Sequence, residues 1–226
     1  GYIIPDNYIS YDDNRFKSAT GEYAVPRLNF DNVDKIMKAA HEKGVKLRGH
    51  TLVWHQQTPK YFFQQNYKIT TGQKYNTSKE CMDTRLEFYV KTVMNHVLSS
   101  EYADCLYSYD VVNEYLHSAN AEKDSKNITY WGLIYGTYDK SVKDHGVTLR
   151  PSYVKDAFKY AHEMLVKYDR LDVKLIYNDY NCYQNPENII HLVDYINSEG
   201  KVCDGIGMQS HLDITDSFHS ATNYAK

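Results

Sequence analysis

Apolar residues recur at helical spacing in FDNVDKIMKAAHEK, residues 30–43, where Phe30, Val33, Ile36, Met37 and Ala40 share one stripe. Asp31 is placed to cap this helix and Gly44 to stop it. A second stripe, Met82, Leu86, Tyr89, Val90, Val93, Met94 and Val97, predicts a helix over 80–99. A third is predicted over about 152–168, opening beside Pro151, and a fourth over 186–198, with Pro186 at its start and Gly200 beyond its end. Between them lie extended runs of another kind: Val45–Trp54, Leu106–Asn113, Val173–Asp179 and Val202–Ser210. These runs are nearly all apolar instead of alternating, as strands are when both faces are buried. Helix followed by strand, four times over, predicts a parallel sheet with covering helices. Residues 5–29 and 64–79 are polar and rich in Tyr, Asn and Asp, and a loop-rich stretch containing Trp131, Gly132 and Gly136 follows the second run. Such long connections point to function or to local order of their own.

Two α/β architectures fit this order. A doubly wound sheet carries a glycine-rich phosphate turn after its first strand, and no such turn is present. A (β/α)8 TIM barrel gathers its chemistry at the C-terminal ends of successive strands. Polar and aromatic residues do end each run here: His50, Trp54 and His55; Asn113 and Glu114; Asn178, Asp179 and Asn181; Gln209 and His211. Four consecutive strands that end this way favour the barrel. Glu114 stands out, because an unpaired carboxylate beside an apolar strand costs several kcal/mol unless it is solvated, paired or used.

Composition narrows the function classes. The chain has 226 residues and a net charge of −3, without a long Lys/Arg run, so nucleic acid is not expected as a partner. No apolar run approaches the roughly 18 residues of a membrane span, and no signal peptide is recognisable. The chain opens at Gly1-Tyr2 without Met and stops at HSATNYAK, which reads as the start of a helix, so an excerpt or a processed form is expected. Cys81, Cys105, Cys182 and Cys203 match neither a zinc nor a redox spacing. His50 and His55 are five apart on an extended run and point to opposite faces, so no metal site is expected there. A nucleophile elbow is absent. The 23 tyrosines suit sugar-stacking clefts, but equally suit strands and half-buried surfaces.

Four segments carry a specific resemblance. RGHTLVWHQQTP (48–59), YDVVNE (109–114), YNDYN (177–181) and GIGMQSHL (205–212) resemble, in order and spacing, the motifs of glycoside hydrolase family 10, the endo-β-1,4-xylanases. The resemblance implies a partial (β/α)8 barrel running from about strand 3 to strand 6, with residues 1–226 as one incomplete catalytic domain. It implies retaining hydrolysis of internal β-1,4-xylosidic bonds without a cofactor, with Glu114 as the acid/base. Asn113 matches the residue that binds a sugar hydroxyl beside the acid. His50 and Trp54 match residues of the glycone side, one bonding a hydroxyl and the other walling the cleft. Gln209 and His211 match the pair that supports the nucleophile, and Asn178 and Tyr180 resemble cleft residues after strand 5. Tyr109 stands where the family has Trp, a departure expected to affect packing only.

The family's nucleophile is a Glu on strand 7, and no Glu follows Glu199 here. The second carboxylate is therefore expected outside the chain, and the chain alone is expected to be inactive. Asp110 cannot replace it. It lies four residues before Glu114, roughly 13 Å along a strand, whereas a retaining pair stands about 5–5.5 Å apart. A structural role in a hydrogen-bond network is expected for it. Asp213 and Asp216 follow the last run and are not excluded by length. The implied partner is xylan or a xylo-oligosaccharide outside the cell, with a secreted or surface-attached parent and carbohydrate-binding modules possible beyond this chain. A related β-1,4-glucan hydrolase and a non-catalytic polysaccharide-binding scaffold are the alternatives.

Overall fold

The computed structural model describes residues 2–4, 25–67, 72, 75, 77–119 and 130–211. Asp213, Asp216 and much of the 5–29 and 64–79 stretches lie outside the described residues. Strands β1 (Tyr2–Ile4) and β2 (Arg27–Asn29) form an antiparallel pair of their own. The main sheet holds β3 (Leu47–Trp54), β4 (Leu106–Asn113), β5 (Lys174–Asp179) and β6 (Gly205–Met208), all parallel and in the order β3-β4-β5-β6. Helix α1 (Asp31–Glu42) precedes β3, and α2 (Lys79–Ser99), α4 (Ser152–Lys167) and α5 (Pro186–Ile196) each join one strand to the next. Short helix α3 (Tyr130–Tyr135) lies within the β4–α4 connection. Among the described residues the strand order never reverses, so they hold no switch point of a doubly wound sheet. Four successive parallel strands of a barrel, with the helices that connect them, account for the arrangement.

Burial shows why the extended runs are apolar throughout. Val111 and Val112 of β4 point to opposite faces, and both are buried. The outer layer is supplied by α2 and α4; on α4 the buried Val154, Ala157, Phe158, Ala161, Met164 and Leu165 follow the helical stripe. On β6 the cover is incomplete among the described residues, and Ile206 and Met208 are exposed.

Several boundaries differ from the sequence expectation. Asp31 is the first helical residue of α1 and not its cap; Phe30 holds the cap position, and the Asp31 N–H donates to Asn29 Oδ1 at 3.0 Å. Helix α4, by contrast, opens at Ser152 beside Pro151 as expected. The last strand is only Gly205–Met208. A buried cation was also unmarked by the apolar stripe. Arg85, within α2, donates to the carbonyls of Phe62 and Gln64 at 2.6 and 3.0 Å and lies 4.2 Å over the Tyr67 ring. It ties the segment after β3 to the helix layer.

Gly49 is required by close approach. It pairs in register with Tyr109, whose ring would overlap any Cβ at that position. Tyr109 is half-buried against the core, where it acts in packing.

Candidate active site

The register places the polar strand ends side by side. Trp54 pairs with Asn113, Asn113 with Asn178, and Asn178 with Gly207. Glu114 follows β4 directly, and its backbone turns into the left-handed region at φ 57°. That conformation is disfavoured by roughly 1–2 kcal/mol for a residue with a side chain. It is held by the Glu114 N–H, which donates to the Asn178 carbonyl at 2.8 Å.

The Glu114 side chain is buried and gripped at both oxygens. Gln209 Nε2 donates to Oε1 at 2.9 Å, and Trp54 Nε1 donates to Oε2 at 2.9 Å. Gln56 Nε2 stands 3.4 Å from Oε2. These donors are neutral, and together they orient the carboxylate. Asn113 Oδ1 accepts from Asn178 Nδ2 at 2.7 Å and from Gln209 Nε2 at 3.1 Å. With its oxygen engaged, the Asn113 amide is left with its NH2 group to donate. Gln209 Oε1 is in turn 2.9 Å from His211 Nε2, which fixes the donor nitrogen of that ring.

A second network lies further back along β3 and β4. The Asp110 side chain is 4% exposed, and its Oδ1 pairs with Arg48 Nε and Nη2 at 2.8 and 2.7 Å. His50 Nδ1 donates to Oδ2 at 2.9 Å, while about half of the ring stays exposed. Arg48 Nη2 also reaches Asn178 Oδ1 at 3.1 Å, which joins the two networks. Gly207 makes room for this crossing, since a Cβ there would overlap Arg48 Nη2 and Asn178 Oδ1.

The sequence-predicted residues therefore divide. Glu114, Trp54, Asn113, Asn178, Gln209 and His211 form one connected set, and His50 joins it through Asp110 and Arg48. Asn178 is buried with both ends of its amide engaged, which makes it a brace between strands. Tyr180 is stacked on His117, with ring centroids 3.8 Å apart. Sequence reasoning did not single out Arg48, Gln56 or His117. Arg48 carried a usable signal: an arginine two residues before His50 on the same strand face needs an acid, and Asp110 is the acid of the neighbouring strand. A cavity of about 560 Å³ runs along the outer edge of β3 and touches His50 and Trp54, but Glu114, Asn113 and Gln209 do not line it. Among the described residues no group of three or more His, Cys, Asp or Glu is arranged to hold a metal ion.

His55, just past β3, is half-buried beside the site, and its buried Nδ1 has no hydrogen-bond partner among the described residues. Burial lowers its pKa to about 4, against the opposing pull of the Glu114 and Asp179 carboxylates. The native imidazole therefore stays neutral where an unfolded one, near 6.5, takes up a proton. Stability should fall as pH drops from about 6.5 to about 4, by about 2–3 kcal/mol from this group. Urea midpoints at both pH values should show that His55→Phe lacks this part of the acid loss. An equal loss in the variant would assign the acid sensitivity elsewhere.

Known proteins of similar sequence and structure point to one family. The profile of glycosyl hydrolase family 10 matches residues 7–225. An endo-1,4-β-xylanase A of Butyrivibrio fibrisolvens is 45% identical over 213 residues, which cover 94% of this chain and 44% of that protein. The exoglucanase XynX of Acetivibrio thermocellus is 32% identical over 206 residues, or 89% of this chain and 16% of that protein. Among solved structures, the CBM22-1–GH10 modules of the Clostridium thermocellum endo-1,4-β-D-xylanase 10B, complexed with xylohexaose, superpose with a TM-score of 0.69 at 29% identity. That likeness covers 92% of this chain and 39% of the other. The chain thus spans less than half the length of these relatives, yet almost all of it matches them, and it belongs to glycosyl hydrolase family 10.

Proposed function

We propose that residues 1–226 form part of the catalytic domain of a retaining endo-β-1,4-xylanase, with Glu114 as its acid/base. The observation that carries this reading is the grip on Glu114: one carboxylate at a strand's C-terminal end, oriented at each oxygen by a neutral donor. As the bond between C1 and the glycosidic oxygen breaks, Glu114 gives its proton to that oxygen while a second carboxylate forms a bond to C1. Glu114 then takes a proton from the water that attacks C1, and the second carboxylate leaves. Asp110 does not serve as that second group, because its oxygens are committed to Arg48 and His50. The reading places the nucleophile on a later strand of the barrel. Asn113 and His50 are the proposed hydroxyl contacts, Trp54 and Tyr180 the aromatic walls, and Gln209, Asn178 and His211 the residues that keep the polar groups in register.

The substrate, in this reading, is xylan or a xylo-oligosaccharide, met outside the cell by a secreted or surface-attached protein with room for carbohydrate-binding modules. Among the described residues no helix is long and apolar enough to cross a membrane. The likeness to an exoglucanase keeps β-1,4-glucan as the second reading. Reducing-end release by the complete natural protein should favour xylan over carboxymethyl cellulose by at least about 10-fold, the lower end of what one extra hydroxymethyl group is expected to decide in a pocket. Proton NMR should show the β-anomer as the first product. Faster release from cellulose would transfer the assignment to glucan, and an α-anomer first would refute retention.

A further inference from the structure

Behind Glu114 the chain is tied to a buried carboxylate that the chemistry above does not use. Asp179, the last residue of β5, is wholly buried. Its Oδ1 accepts from His117 Nδ1 at 2.7 Å and from the Tyr180 backbone N–H at 2.8 Å, and its Oδ2 accepts from the Tyr177 hydroxyl. That hydroxyl accepts in turn from the Leu116 N–H at 3.1 Å. Leu116 and His117 are the second and third residues after Glu114. One carboxylate therefore holds the turn after Glu114 twice, once through an imidazole and once through a tyrosine. The turn closes on Glu114 itself, whose carbonyl accepts the His117 N–H at 3.2 Å. A left-handed residue persists only where its surroundings over-determine it, and these bonds surround Glu114 from the C-terminal side.

We propose that His117, locked by Asp179, is a positioning residue that keeps the Glu114 carboxyl aimed at the glycosidic oxygen. The inference rests on the reading of Glu114 as acid/base. His117 also lies flat under Tyr180 and edge-on to His145, with centroids 5.4 Å apart in the latter pair. A role confined to supporting the Tyr180 ring would change substrate binding whatever the leaving group. Aim of the acid matters only when the leaving oxygen needs a proton, and a displacement on the order of 1 Å can cost about 100-fold in rate.

The test compares kcat/KM for xylotetraose, whose leaving group needs protonation, with that for 2,4-dinitrophenyl β-xylobioside, whose leaving group does not. His117→Phe keeps a ring beneath Tyr180 and removes the donor; His117→Asn returns an amide N–H near the position of Nδ1. In the complete natural protein, His117→Phe should lower the xylotetraose value by about 10–100-fold. The dinitrophenyl value should stay within about 3-fold, and His117→Asn should recover most of the loss. Tyr177→Phe, which cuts the other grip, should show the same selectivity and decides the matter if His117→Phe does not fold. Equal losses on both substrates, or no loss on either, would overturn the proposal. A folded wild type inactive on both would overturn the glycosidase reading itself, and is told apart by that control.

Discussion

In the complete natural protein, Glu114→Gln should lower kcat for xylan by about 10²–10⁴-fold, the usual contribution of a general acid/base. That corresponds to about 3–5 kcal/mol of transition-state stabilisation. The fold should survive with a modest cost. Trp54 Nε1 can only donate, and Gln209 is fixed as a donor because its oxygen already faces His211. Each Glu114 oxygen therefore meets a donor, and the new amide must turn its NH2 towards one of them, for about 1–2 kcal/mol. A structural role for Glu114 would give that stability loss with little change in rate. Circular dichroism melts and xylan assays on the same samples separate the two. Added azide supplies a second criterion, since it attacks C1 without needing a base. With a dinitrophenyl substrate, azide should accelerate turnover of the variant and yield a glycosyl azide. Absence of that product, together with near-wild-type activity on xylan, would remove Glu114 from the chemistry.

Much of this arrangement was legible before any coordinates, for identifiable reasons. Strands buried on both faces write themselves as unbroken apolar runs, so β3, β4 and β5 were found within about two residues. The amphipathic stripe of α1 was equally plain, because one face packs and the other does not. The ends of elements were harder. Asp31 has the chemistry of a cap, but Asn29 two residues earlier takes its N–H, and either residue satisfies the local rule. The site was legible as a set of residue types at strand ends, which is a one-dimensional statement. Which amide braces and which one is left with an NH2 group to donate is decided by cross-strand register. Asn113 and Asn178 look alike in the chain, yet Asn178 has both ends engaged while Asn113 keeps its NH2. His117 and Arg85 were invisible for a related reason: their partners lie on other elements, and nothing in their own neighbourhood announces them.

The second large effect falls on stability. Asp110→Ala should destabilise the protein by about 3 kcal/mol, the lower part of the range for breaking a buried ion pair. The carboxylate is 4% exposed and takes both Arg48 contacts and the His50 bond, so its removal strands a guanidinium inside the sheet layer. Arg48 retains 36% exposure and its bond to Asn178, and water therefore offsets part of the penalty. In a domain of about 150–250 residues that loss lowers the thermal midpoint by roughly 6–12 °C. Asp110→Asn should cost only about 1 kcal/mol. Its oxygen can still accept from Arg48, and a neutral His50 can exchange tautomers to accept from the new NH2. The double change Arg48→Met with Asp110→Leu should be much milder than Asp110→Ala, because an apolar pair of similar volume often equals a buried ion pair in stability. Activity should nevertheless fall in the double variant, since Asn178 loses the Arg48 brace and His50 loses the acceptor that fixes its tautomer. Recovery of stability without recovery of activity would show that the ion pair sets the aim of the site more than the strength of the fold. Recovery of both would reduce Asp110 and Arg48 to filling, and failure to recover stability would mean that the pair is irreplaceable in the packing of β3 against β4.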